Sequence, residues 1–236
     1  MCGPWPPPPP ERPEIPPPWT PDQPPETPWL PRPHPSPPQV PLVPGPDDFR
    51  NERELLLGSL LKRRIVLVTG LLTEQLATTA AAQIMTLDAE DGEPLELHIA
   101  SPDGDLGAAL MLADTVGLAT APVTAHCRGA LGGPALAPFA AAQRRLASPR
   151  ATFRMIEPRT SLSGRVDEIA AEAAALRQQL TNLHALLART TGQLAHRIAA
   201  DMEKGLILSA DEARNYGLVH AIAGGGANSR APVTDT

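Results

Sequence analysis

The sequence has few cysteines and few aromatic residues, and both shortages limit what the protein can be. Among its 236 residues only Cys2 and Cys127 are cysteines, too few for a disulfide framework, so we expect a reducing compartment. Aromatic residues make up 3% of the chain, and all three tryptophans lie within residues 1–46. The core of the remaining 190 residues must therefore be aliphatic and rich in alanine.

Positive charge and long apolar runs are also scarce. The net charge is −6, with 18 arginines and only two lysines, so no basic field favours nucleic acid as a partner. The longest uncharged stretch, residues 129–143, has about 15 residues, short of the roughly 20 apolar residues that a membrane span needs. The first residues contain no apolar segment of the secretory type. We therefore expect a soluble cytoplasmic protein without a nucleic-acid or membrane partner.

Proline, in contrast, is concentrated at one end of the chain. Of the 30 prolines, 22 lie in the first 46 residues, where they remove backbone donors and favour solvated polyproline II. We predict a disordered tail over residues 1–46, a folded domain over 47–223 and a second disordered tail over 224–236. The first tail is typical of a spacer, with a PxxP-type ligand for an aromatic groove as the alternative.

From residue 47 onward, strand-like and helix-like patterns alternate. β-branched and apolar runs predict strands at residues 64–70, 95–100, 123–128 and 151–155. Capping residues and apolar spacing predict helices over residues 47–62, 73–90 and 101–120, from 129 onward, and at 209–217. Alternation of this kind indicates parallel βαβ units and an α/β fold.

A single long helix is predicted over residues 165–190. Apolar residues recur there at spacings of three and four, at Val166, Ile169, Ala173, Leu176, Leu180, Leu183 and Leu187. At 1.5 Å per residue, a helix of about 26 residues is about 39 Å long, more than a small domain needs to cover its sheet. An exposed apolar stripe on it would need another subunit to cover it, so we expect an oligomer.

No sequence pattern indicates a metal or a cofactor. No two histidines lie at ligand spacing with a carboxylate or cysteine on one predicted strand or helix face, and no glycine-rich nucleotide motif is present. Asp103 and Asp105 place negative charge at a helix start, which indicates capping rather than phosphate binding. His126 and Cys127 are neighbours on a strand and face opposite sides, so they cannot act as a base and nucleophile pair.

The order of these motifs resembles the proteolytic subunit of the Clp protease (ClpP), within the larger ClpP/crotonase superfamily. The resemblance covers residues 47–222 and rests on segments 60–70, 99–104, 127–129, 155–158 and 208–219. Residues 101–104 read Ser-Pro-Asp-Gly where the family has Ser-Pro-Gly-Gly. The resemblance implies a ClpP/crotonase-like fold with a protruding handle helix, and a ring of subunits to which a AAA+ unfoldase can dock.

The resemblance also implies a serine peptidase, but the sequence departs from the family at each catalytic position. The family's nucleophilic serine falls on Gly133, and its aspartate falls on Gly205, with Asp201 and Glu203 close enough in sequence for a local shift in alignment to matter. Its histidine falls on Ile156 when the following proline is matched, or on Glu157 when the residue after isoleucine is matched. No side chain of the family's triad is therefore expected in this chain.

The family's oxyanion hole uses two backbone N–H groups, and only one is expected here. Gly104 keeps the first, but the second falls on Pro134, which has no N–H. Losing one donor costs about 10² to 10³ in rate, and losing a triad costs about 10⁶.

We therefore predict a catalytically inactive ring-forming subunit, structural or regulatory, that assembles with itself or with active paralogues. One alternative is an active ATP-dependent Clp serine endopeptidase, which would need another nucleophile. A further alternative is a crotonase-like acyl-transforming enzyme, which needs no serine, although Pro134 counts against that chemistry as well.

Overall fold

A computed structural model describes residues 55–158 and 164–223. The tails predicted at residues 1–46 and 224–236, and the start of the first predicted helix, lie outside these residues. In the first half of the described chain the elements are α1 (residues 55–61), β1 (Ile65–Thr69), α2 (Glu74–Asp91), β2 (Leu95–Ala100), α3 (Leu106–Leu118) and β3 (Val123–Cys127). They then continue as β4 (Ala130–Gly132), a 3₁₀ turn (Gly133–Ala135), α4 (Leu136–Ala141), β5 (Arg144–Ala147), β6 (Thr152–Met155), α5 (Val166–Thr191), α6 (Ala195–Glu203), β7 (Leu206–Ser209), α7 (Ala210–Tyr216) and β8 (Ala221–Ile222).

The strands form two sheets. The larger is parallel, with the order β1-β2-β3-β5-β8. The smaller has the order β4-β6-β7, in which β4 and β6 are parallel and β6 and β7 antiparallel. The α/β fold of βαβ units is thus confirmed, whereas β4, β5, β7 and β8 and the division into two sheets were not predicted.

The prediction that a helix begins at Gly129 was wrong. Residues 130–132 instead form β4, whose backbone pairs with β6, and the Thr152 N–H donates to the Gly129 carbonyl at 3.0 Å. Because residues 130–132 pair with β6 and Gly133–Ala135 form a 3₁₀ turn, α4 begins only at Leu136. The helix predicted from residue 101 also starts later, at Leu106, because Asp105 caps it by accepting the Ala108 N–H at 2.8 Å.

The core is aliphatic and alanine-rich, as predicted. Alternate residues of the central strands are fully buried, among them Val66, Val68, Leu97, Ile99 and Ala125. The two buried phenylalanines of the described chain, Phe139 and Phe153, contact each other with ring centroids 5.6 Å apart. None of the described helices combines the length and the apolar character needed to span a membrane.

Helix α5 confirms the predicted long helix and extends beyond the core at its beginning. Within it, Leu183 and Leu187 are fully buried, whereas Val166 is 86% exposed. Leu176 and Leu180 pack against the core but are only partly buried. The first half of the helix is therefore a protruding handle, and its coverage by another subunit stays a prediction.

The capping box predicted at the start of α7 is confirmed. The Glu212 N–H donates to Ser209 Oγ at 3.4 Å. The Glu212 carboxylate accepts the Ser209 N–H at 2.8 Å and the Ser209 hydroxyl at 2.7 Å. These hydrogen bonds, the backbone one first, lower the pKa of Glu212 below its ordinary value.

Replacing Glu212 with alanine should destabilise the fold most at neutral pH. Because the folded-state pKa lies below the unfolded value of 4.5, the stabilisation is complete above that value and is lost as the pH falls through the folded pKa. The difference in free energy of unfolding between wild type and Glu212→Ala, measured with denaturant, should therefore shrink from neutral pH to about pH 3. Glu203→Ala, at an exposed position on α6, is the control; an equal Glu212→Ala difference at both pH values would contradict the prediction.

Candidate active site

The candidate site lies where the turn after β2 meets the turn after β4. The Gly132 N–H donates to the Ser101 carbonyl at 3.0 Å, which joins the two turns through their backbones. On its other side, the β2 turn is held by Leu72, whose N–H donates to the Asp103 carbonyl at 3.0 Å and whose carbonyl accepts the Asp105 N–H at 2.8 Å. Backbone hydrogen bonds between three chain segments therefore hold the site together.

Glycines make this close approach possible. A Cβ on Gly104 would lie 2.5 Å from the Leu72 Cβ, and a Cβ on Gly132 would lie 2.5 Å from the Pro102 carbonyl oxygen. Neither contact can be relieved by moving the end of a flexible side chain, so both positions require glycine for steric reasons alone.

The structure brings together Gly133, Ile156 and Gly205. A Cβ on Gly133 would lie 3.6 Å from Ile156 Cγ1, and a Cβ on Gly205 would lie 3.6 Å from Ile156 Cγ2. The smaller sheet causes this proximity: Gly133 follows β4, Ile156 follows β6, and Gly205 precedes β7. Ile156 thus lies between the two glycines, whereas Glu157 is exposed.

The Asp103 carboxylate fills the space beside Gly133. Its Oδ1 accepts the Gly104 N–H at 2.8 Å, and it lies 2.9 Å from the point at which a Cβ on Gly133 would sit. Asp103 was predicted to be one of two capping charges, but only Asp105 caps α3. The sequence did hold one sign of this different role: Asp103 stands where the family that the chain resembles has glycine.

Pro134 lies buried in the 3₁₀ turn directly after Gly133. Gly133 has a left-handed backbone, with φ of +53°, which glycine adopts without strain. Proline is tolerated in the first turn of a helix, where an N–H has no intrahelical partner. At this point the chain therefore presents no backbone donor.

Neither Cys127 nor Ser101 is placed to act as a nucleophile. Burial raises the pKa of Cys127 to about 11, and its Sγ lies 3.4 Å from the Gly129 carbonyl, to which it donates. Ser101 is buried, and its hydroxyl donates to the Asp103 carbonyl at 2.9 Å. Within residues 55–158 and 164–223, histidine hydrogen bonds go to Glu96, Arg128 and Arg145 rather than to a hydroxyl or thiol.

One prediction about the histidines was wrong. No histidine pair was expected to share a face with a carboxylate, but the parallel register places His126 beside His98, and Glu96 lies two residues before His98 on the same face of β2. His98 Nε2 lies 2.7 Å from Glu96 Oε2. Strand pairing joins residues that are distant in sequence, which is why the sequence pattern did not reveal this pair. Cys127, which follows His126, faces the core, as expected.

In a comparison with protein families, a family model described as Clp protease matches residues 50–225 of the chain. The matched segment contains both sheets and the whole cluster around Ile156.

Gly132→Ala should destabilise the protein by about 1 to 3 kcal/mol or more, because the added Cβ would push the Ser101–Gly132 and β4–β6 contacts apart. The closest atoms would be the Pro102 carbonyl oxygen at 2.5 Å and the Arg154 Cβ at 3.1 Å. The measurement is the free energy of unfolding by denaturant.

The matched control is Gly117→Ala on α3, where an added Cβ would meet nothing within 4 Å. That change should stabilise the protein by roughly 0.5 to 1 kcal/mol, since alanine is the better helix former. Equal effects of the two substitutions would show that the turns do not need their close approach.

Proposed function

The chain belongs to the Clp protease family, and we propose that within this family it is a non-catalytic ring subunit, acting structurally or by modulating active subunits. One observation carries the proposal: a carboxylate occupies the place where the family stabilises negative charge. The Gly104 N–H, the oxyanion donor by resemblance, donates to Asp103 Oδ1 at 2.8 Å.

The Asp103 hydrogen bond opposes catalysis in two ways. It uses the donor that a tetrahedral intermediate would need, and it places a negative charge where a second negative charge would develop. The other donor position, Pro134, has no N–H to offer. Both arms of the oxyanion hole are therefore ineffective, independently of the triad.

The cluster around Ile156 supports loss of the triad. Gly133, Ile156 and Gly205 are neighbours in the order that serine, histidine and aspartate would need. The contacts of Ile156 with both glycine positions favour it over Glu157 as the position of the family's histidine. A glycine has no nucleophile and an isoleucine cannot accept a proton, so no general-base chemistry is available there.

Family membership itself favours one alternative, an active peptidase subunit. It would need a nucleophile beside a base in this pocket. Two candidates from the described part of the chain are the hydroxyl of Ser101, which follows β2, and the thiol of Cys127, at the end of β3. Ser101 donates to a carbonyl, and Cys127 is buried with a raised pKa, so neither is an activated nucleophile.

Exposed apolar surface supports assembly into a ring. A groove of about 710 Å³ between α2 and α3 is lined in part by Met85 and Met111, of which Met85 is 63% exposed. Leu118, at the end of α3, is 83% exposed. Clp family membership implies rings that work with Clp unfoldases, and a neighbouring subunit would remove this surface from water.

The purified full-length chain should not be labelled by a fluorophosphonate probe, and it should form a ring-sized species by light scattering. An active Clp peptidase subunit prepared in the same way is the positive control for labelling. Asp103→Gly should also stay unlabelled, because Gly133 supplies no hydroxyl. Labelling of a serine would support the active peptidase, whereas a monomer at all concentrations would contradict the ring.

A further inference from the structure

The solvent-side face of the parallel sheet carries three side chains that can each offer a ligand atom to one metal ion. They are Glu96, His98 and His126, and one ligand atom from each lies within 4.8 Å of the others. None of them belongs to the cluster around Ile156, and the proposed function does not use them.

The fold places these residues on neighbouring, central strands. Glu96 and His98 lie on one face of β2 because successive side chains of a strand alternate. The parallel register sets His98 against His126 on β3. Because both strands are hydrogen-bonded to neighbours on both sides, the backbone that carries the three side chains is rigid. A rigid backbone favours a metal site.

The distances are close to those of an occupied site. Glu96 Oε2 lies 2.7 Å from His98 Nε2 and 3.6 Å from His126 Nε2. Zinc holds nitrogen and oxygen ligands at about 2.0 to 2.2 Å, so neighbouring ligand atoms of a tetrahedral site lie about 3.4 Å apart. Shifts of about an ångström, within reach of side-chain rotation, would complete the geometry.

Burial is also suitable. The side chains of His98 and His126 are 12% and 15% exposed, whereas that of Glu96 is 48% exposed. The imidazoles are thus shielded while one side of the cluster is open to solvent. We infer that Glu96, His98 and His126 bind a divalent transition-metal ion, best matched by Zn²⁺, with water in the open position.

Two arginines oppose a cation at this site. Arg128 Nη2 lies 3.5 Å from His98 Nε2, and Arg144 on β5 is in register with Thr124, two residues before His126. Arg128 is exposed, so its guanidinium can move away when His98 binds the metal. Its positive charge should weaken the site without abolishing it.

The test uses the full-length chain, stripped with a chelator and titrated with zinc chloride by calorimetry and by competition with a zinc-binding dye. One zinc ion should bind per chain. Loss of a residue that only hydrogen-bonds a metal ligand lowers metal affinity by roughly 10- to 100-fold. His98→Ala and His126→Ala each remove a ligand itself, so each should weaken zinc binding by at least that much. His196→Ala, at an exposed position on α6 outside the cluster, is the matched control and should bind as wild type.

Two further substitutions keep the inference testable if a histidine variant fails to fold. Glu96→Gln removes the carboxylate and should weaken zinc binding, whereas Arg128→Met removes a nearby positive charge and should strengthen it. Circular dichroism checks the fold of each variant. Absence of zinc binding by the wild type would overturn the inference, and so would equal affinities for wild type, Glu96→Gln and Arg128→Met, which would place the metal elsewhere, for example on His34.

Discussion

The hydrogen bond from the Gly104 N–H to the Asp103 carboxylate is the interaction on which the functional account depends. In parallel α/β sheets, ligands bind beyond the carboxyl ends of the strands, where turns present unpaired backbone N–H groups. The turn after β2 is such a place, but its amide is already paired within the chain at 2.8 Å. The same carboxylate lies beside Gly133, so under the proposed function one side chain occupies the space that the family's nucleophile and oxyanion would need.

Packing explains why the two turns of the site can approach each other so closely. Gly104 and Gly132 are required because Leu72 and Pro102 leave no room for a Cβ. Backbone hydrogen bonds between the turns hold the segments at this separation. Gly133 and Gly205 are constrained by conformation instead: their backbones are left-handed, with φ of +53° and +71°, which glycine adopts without strain.

Local patterns predicted most of the larger sheet, helix α5 and the capping box at Ser209, because these depend on residues close in sequence. Strands β4, β5, β7 and β8 were missed because runs of two to four residues are too short to show alternation. The resemblance identified Gly133, Ile156 and Gly205, but not the contact of Asp103 with Gly104. The Glu96, His98 and His126 cluster was missed because the register of β2 and β3 is a long-range property.

Peptide-bond turnover by the purified full-length chain tests the central claim most directly. The assay is release of fluorescent fragments from a labelled unfolded protein, with and without a Clp unfoldase and ATP. The account predicts a rate equal to that of buffer under both conditions. A saturable rate that a single substitution in the pocket around Ile156 abolishes would contradict it.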